Sequence, residues 1–306
     1  QEGLGDLDPN DPNSYNKYNQ KDYAPTLMHK EAIDFITRNK NSPFFLYYAS
    51  PIPHLPLQAP KKWVNYYEKK FGEEKPYTGK SYYPNKTPKA TYAAMISYLD
   101  EQVGDLVSKL KEIGQYENTL IIFTSDNGPT WVDHVDYNFF NSTGKFINSR
   151  RTMKGSVSEG GIRVPMIASW PNKIKPNSKS DHISAFYDFF ETACDVAGIE
   201  NSEKTDGISF YKEMIGEDQK KHDFLYWEYP ASGGLQAIRM GKWKGIKRNL
   251  FKGPSKLELY DLSVDEKELK DLSFEYPEII SELEKKLQKA HSTPFLKEFI
   301  IPSLEL

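Results

Sequence analysis

At 306 residues the chain is long enough for a large core and a smaller second one, and its 38% hydrophobic content with 20 Tyr and 17 Phe belongs to a folded chain, not a disordered one. A net charge of -3 argues against a broad nucleic-acid surface, and no apolar run nears the roughly 20 residues of a membrane span. The one cysteine, Cys194, excludes an internal disulfide, which fits a reducing compartment without excluding the periplasm.

The chain begins at Gln1, read as a processing point or the start of a fragment. Residues 1–25, rich in Asp, Asn, Gly, Pro and Tyr, read as irregular surface. A helix is expected over 26–38, with Leu27, Ile33 and Ile36 near one face. "PFFLYYAS", 43–50, lacks polar alternation and predicts a strand covered on both faces, as in a parallel sheet. The four prolines of "PIPHLPLQAP", 51–60, exclude a helix or interior strand. Residues 61–86 read as a short helix and a Tyr/Lys/Pro-rich loop. Thr87-Pro88 is a helix start, Tyr92, Met95, Ile96, Leu99, Val103, Leu106, Val107 and Leu110 repeat at three and four, and Gly114 is the stop.

"TLIIFTS", 119–125, predicts the next covered strand, 129–160 a polar loop, "RVPMIASW", 163–170, a third strand, and "SAFYDFFETACDVAG", 184–198, a helix that packs Cys194 as a core thiol. Beyond about residue 216, "FLYWEY", "LQAIRMGKWKGIK" and "LELYDL" predict an antiparallel sheet. A last helix starts near Pro277 with Ile279, Ile280, Leu283 and Leu287 inward. The expected architecture is an α/β domain over 1–215, mostly a parallel sheet flanked by helices, followed by a small α+β domain over 216–306.

Ligands of open α/β sheets gather beyond the carboxyl ends of strands. Asp126 and Asn127 follow the strand at 119–125 and offer hard oxygens suited to Ca²⁺ or Mg²⁺. Asp-Asn-Gly is equally an ordinary turn composition. His54, in the proline-stiffened loop, suits proton donation near neutral pH, or is a surface histidine. "MKGSVSEGGIRVP", 153–165, carries Lys154, Glu159, Arg163 and a glycine pair that permits close backbone approach; Lys154 suits an oxyanion, and a solvated charged loop is the alternative. The many Tyr and Trp residues suit sugar stacking as well as core packing. No Ser-His-Asp arrangement is legible.

"PFFLYYASPIPHLPLQAP", "YLDEQVGDLVSKL", "IIFTSDNGP", "KGSVSEGGIRVPMIASWP" and "LQAIRMGKWKGIK...LELYDLSVDEKELKDL" resemble, in order, the blocks of a type I sulfatase, the arylsulfatase A-like branch of the alkaline phosphatase superfamily. The resemblance implies an alkaline phosphatase-like fold, Asp126 and Asn127 as calcium ligands, Lys154 on the sulfate oxygens and His54 on sulfate and leaving alcohol. It implies hydrolysis of a sulfated carbohydrate or other sulfate ester in the periplasm or outside the cell.

The family's first Asp-Asp pair, its Cys/Ser-x-Pro-x-Arg motif, whose first residue becomes formylglycine, and its Lys-x-His pair have no match here. "GKWKG", 241–245, is only superficially like the last, with Lys244 where histidine would stand. The expectation is therefore a C-terminal portion of a sulfatase, inactive alone, with the formylglycine nucleophile on a missing N-terminal segment or second chain. The alternatives are a phosphodiesterase or phosphonate hydrolase of the same superfamily and a non-catalytic glycan-binding remnant.

Overall fold

The structure, a computed structural model, describes residues 3–146 and 149–305; Gln1 and positions 147–148 of the expected polar loop lie outside the described residues. The chain divides into two compact units: residues 1–120 with 132–136 and 170–172, and residues 121–131, 137–169 and 173–306.

The first unit is built on helices α1 (Ala24–Arg38), α2 (Lys61–Phe71) and α3 (Pro88–Glu112), with α3 packed against the other two. The three-and-four spacing of α3 buries Tyr92, Met95 and Leu110 but leaves Ile96 43% exposed. On α1, Ile36 is inward while Leu27 is exposed, so the core stripe is narrower than the sequence spacing implies. Buried Gln102 of α3 is satisfied on both sides: its amide donates to the Pro25 carbonyl (2.9 Å), and its oxygen accepts from the Tyr48 hydroxyl (3.3 Å).

The strand expected over 43–50 does not form a ladder with any described residue. Its alternate residues Phe45 and Tyr47 are 68% and 79% exposed, while Phe44 packs edge-on against Phe35. Within the described residues this segment is therefore covered on one face, not on the two expected. Apolar character alone does not make a strand; a neighbouring backbone has to supply its hydrogen bonds.

The second unit contains β1 (Ile121–Thr124), α4 (Tyr137–Phe140), α5 (Glu159–Ile162), β2 (Met166–Ser169), α6 (Asp188–Ala197), α7 (Tyr211–Ile215), β3 (Leu225–Tyr229), β4 (Leu235–Met240), β5 (Trp243–Lys247), β6 (Glu258–Asp261) and α8 (Pro277–Ala290). β1 and β2 pair with each other antiparallel, Ile121 opposite Ser169 and Thr124 opposite Met166, where a parallel arrangement was expected. Among the described residues, the helices of the segment between them are three or four residues long, too short to serve as the crossover that a parallel pair needs. Phe123, Met166 and Ile167 are exposed, so this sheet too is not covered on both faces.

The antiparallel sheet expected after residue 216 is present in the order β3-β4-β5-β6. Its pleat separates two apolar faces. Leu235, Ala237, Ile246 and Tyr260 pack with Val157 on one face, and Ile238 and Leu259 pack with Leu257, Leu283 and Leu287 on the other. The last two come from α8, whose inward residues are those the sequence spacing selects. With α6 ended by left-handed Gly198, helices and sheets combine as the α/β reading requires.

Candidate active site

Asp126 and Asn127 sit in the turn after β1. The Ser125 hydroxyl donates to the Asn127 carbonyl (3.0 Å), and the Asn127 amide nitrogen donates to the Gly128 carbonyl (2.9 Å). With its N–H₂ group turned to the backbone, Asn127 keeps Oδ1 available as an acceptor. The Asp126 carboxylate is exposed and has no hydrogen bond to a described residue.

The next residue fixes this turn. The buried Gly128 N–H donates to the Gly161 carbonyl at 2.8 Å. A Cβ at 128 would lie 2.0 Å from the Gly160 oxygen, so only glycine fits. The glycine pair is itself wedged among backbones: a Cβ on Gly160 would meet the Thr152 oxygen at 2.5 Å, and one on Gly161 the Ser156 oxygen at 2.4 Å. The close approach read from that pair is realised.

The same loop carries Lys154. Its N–H donates to the Pro129 carbonyl (3.2 Å), and the Trp131 indole N–H donates to the Lys154 carbonyl (3.1 Å). Its side chain is half-buried, and its ammonium has no ion pair with a described residue. Three of the four candidate residues thus belong to two segments strapped together through their main chains.

His54 belongs to the first unit, between the cis peptides Ile52–Pro53 and Leu55–Pro56. Its N–H donates to the Pro51 carbonyl (2.8 Å), and its Nδ1 lies 2.8 Å from the Leu55 carbonyl. A carbonyl only accepts, so Nδ1 carries the proton, and Nε2 of the exposed ring has no hydrogen bond to a described residue. Tyr82 stands edge-on to the imidazole, 6.3 Å between centroids. Its loop is closed by the paired backbones of Tyr77 and Asn85, and the Tyr77 hydroxyl accepts the N–H groups of Lys80 (2.9 Å) and Ser81 (3.3 Å).

Sequence reasoning missed one charged cluster. The Lys244 side chain is 0% exposed, and its ammonium lies 2.7 Å from Glu159 and 2.9 Å from Glu268, each carboxylate 2% exposed. Glu268 also accepts the Glu159 backbone N–H (3.2 Å). Arg163 and Arg239 stand 3.4 and 3.8 Å from the other Glu159 oxygen. Burial opposes the Glu159 charge, but Lys244, with Arg239 and Arg163 behind it, outweighs this and holds the carboxyl below its ordinary range. The signal was the pleat of "WKGIK", which puts Lys244 on the face of Ile246, a core position no lone ammonium occupies without partners.

The oxygens of Asp126 and Asn127 fit a hard divalent cation in kind. They do not complete a site: calcium takes about six to eight oxygens, and among the described residues no group of three or more His, Cys, Asp or Glu is placed to hold a metal.

In this α/β chain the turn of Asp126 and Asn127 is thus tied, main chain to main chain, to the loop of Lys154. The family model described as Sulfatase matches residues 3–199, and that described as N-sulphoglucosamine sulphohydrolase, C-terminal, matches residues 149–293. The chain belongs to the sulfatase family.

It is 26% identical to an N-acetylgalactosamine-6-O-sulfatase of Bacteroides thetaiotaomicron over 88% of the chain and 51% of that protein. It is 29% identical to arylsulfatase A of Homo sapiens over 68% of the chain and 36% of that protein. The crystal structure of Ps i-CgsB in complex with k-i-k-neocarrahexaose superposes with a TM-score of 0.70 and 28% identity, covering 93% of this chain and 57% of that one. The chain spans about half the length, or less, of these two curated relatives.

Proposed function

We propose that this chain is the cation- and sulfate-binding part of a sulfuric ester hydrolase acting on a sulfated carbohydrate. What supports the reading is the double strap, Gly128 to Gly161 and Lys154 to Pro129, which joins the turn of Asp126 and Asn127 to the loop of Lys154, whose ammonium has no ion pair with a described residue. The relative named for N-acetylgalactosamine-6-O-sulfate and the neighbour holding a neocarrahexaose support the substrate class.

In this reading Asp126 and Asn127 hold calcium; magnesium demands a stricter octahedron and suits an open turn less well. The bound cation would supply positive charge toward the transferring sulfuryl group. The Lys154 ammonium neutralises sulfate oxygens as charge builds on them. His54, held through Nδ1 by the Leu55 carbonyl, would pass a proton from Nε2 to the departing alcohol. The formylglycine nucleophile and the remaining cation ligands come from a segment outside this sequence. In support, Phe45 and Tyr47 in the first unit, and Phe123, Met166 and Ile167 in the second, expose apolar surface that a further layer would cover. The whole protein works in the periplasm or outside the cell. No helix among the described residues is long and apolar enough to cross a membrane.

The test is hydrolysis by the full gene product of a sulfated sugar and of a phosphodiester, with chelation and calcium return. Sulfate release lost on chelation and restored by calcium is expected. Turnover of the phosphodiester alone would overturn the assignment.

A further inference from the structure

We propose that Lys244, on β5 of the C-terminal sheet, is a positioning residue for the turn of Asp126 and Asn127 and for the loop of Lys154. The proposal rests on the reading of those three residues as the cation and sulfate site.

The route from Lys244 to that site is short. Its ammonium holds Glu159 (2.7 Å) and Glu268 (2.9 Å), and Glu268 in turn takes the Glu159 backbone N–H. Glu159 is the first residue of α5, "EGGI". Ser158, in front of it, makes no side-chain cap, so the Glu268 carboxylate does the work a cap residue would do. The next two residues of α5 are glycines, with no side chain to anchor the helix. The Glu159 side chain is therefore the main polar anchor that α5 has on the sheet.

From α5 outward every step is backbone on backbone. The Gly161 carbonyl takes the Gly128 N–H at 2.8 Å, and the gaps around Gly128, Gly160 and Gly161 are too narrow for a Cβ. Such contacts have no rotamers with which to absorb a shift. A displacement of Glu159 passes to the Gly161 carbonyl, then to Gly128 and the ligand turn beside it. On the other side, the backbone of residues 152–156 packs on the same glycines and carries Lys154. A buried ammonium between two carboxylates is costly to form and costly to break, which makes it a stiff fixing point.

Amide hydrogen exchange of the whole chain tests this without need of activity. In Lys244→Met, exchange at the Gly128 and Lys154 amides accelerates by about tenfold or more, while that of the β4 amides changes by less than about twofold. Equal acceleration throughout the unit means a stability role only and overturns the proposal, as does unchanged exchange at Gly128 and Lys154. If Lys244→Met does not fold, Glu268→Gln, which keeps the shape and removes one charge, gives the same readout. Terbium luminescence with calcium competition is read separately on the full gene product. A wild type that binds neither ion defeats the assignment of Asp126 and Asn127 as ligands, while the exchange pattern still decides the role of Lys244.

Discussion

The Gly128 N–H donates to the Gly161 carbonyl across 2.8 Å, and the gap leaves no room for a methyl group at residue 128. This bond joins the turn of Asp126 and Asn127 to the segment that carries Lys154. A side chain at 128 has to push on backbone, because the nearest atoms are the Gly160 oxygen and carbon.

Gly128→Ala is therefore expected to cost about 1–3 kcal/mol or more of unfolding free energy, as overpacking of a rigid site does. Urea unfolding checks the stability change. On the proposed role of Asp126 and Asn127, calcium affinity of the full gene product carrying the same change should fall with it. A variant as stable as the wild type would mean that the turn relaxes freely.

Glu159 gives the fold a dependence on acid. Its folded carboxyl is held below the ordinary value of 4.5, so in the window below that pH the unfolded chain binds more protons than the folded one. The stabilisation is present in full above pH 4.5 and is lost as pH falls through the folded value. Unfolding free energy measured from pH 7 downward is expected to drop more steeply for the wild type than for Glu159→Gln. That variant is less stable at neutral pH, since it leaves the Lys244 ammonium one partner short. Parallel curves would assign the acid sensitivity to other carboxylates.

The parts of the molecule legible in advance were those whose pattern is local. The α3 repeat, the close succession of strands after residue 216 and the inward face of α8 all follow from spacing along one segment. The Gly160-Gly161 pair was legible for the same reason: two glycines before a strand are an expensive choice unless backbones must meet. What was not legible depends on partners distant in sequence. "PFFLYYAS" has strand composition, yet its alternate residues Phe45 and Tyr47 stay open and no described strand pairs with it. β1 and β2 turned out antiparallel because pairing direction is set by the connection, not by the strands. Lys244 looked like a poor match to a histidine motif, and its partners Glu159 and Glu268 lie 85 and 24 positions away from it in the chain.

The start of α3 makes the same point and can be tested. Thr87 has the residue type of a helix cap, but its hydroxyl donates to Glu68 (3.0 Å). The free N–H groups of Lys89 and Ala90 are taken by the Glu74 carboxylate, at 2.7 and 3.0 Å. Glu74→Ala is expected to cost about 1–2 kcal/mol, the worth of a lost cap with charge behind it, and Thr87→Ala less. Thermal unfolding of both variants checks the order. The reverse order would restore Thr87 as the cap.

His54 carries the last prediction, on the activity of the full gene product. The Leu55 carbonyl fixes the proton on Nδ1, so in the proposed role the ring would serve the leaving group through Nε2. His54→Asn keeps a polar side chain but removes the ring nitrogen that would hand over the proton. For a sulfated sugar, whose alcohol is a poor leaving group, kcat is expected to fall about 10²–10³-fold, the usual worth of a positioned general acid. For an aryl sulfate with an acidic phenol the loss should be much smaller, because that phenolate departs without a proton. The ratio of the two losses separates proton donation from plain sulfate binding, which would lower both rates alike. Equal losses on the two substrates would reduce His54 to a binding residue and leave the proton to come from elsewhere.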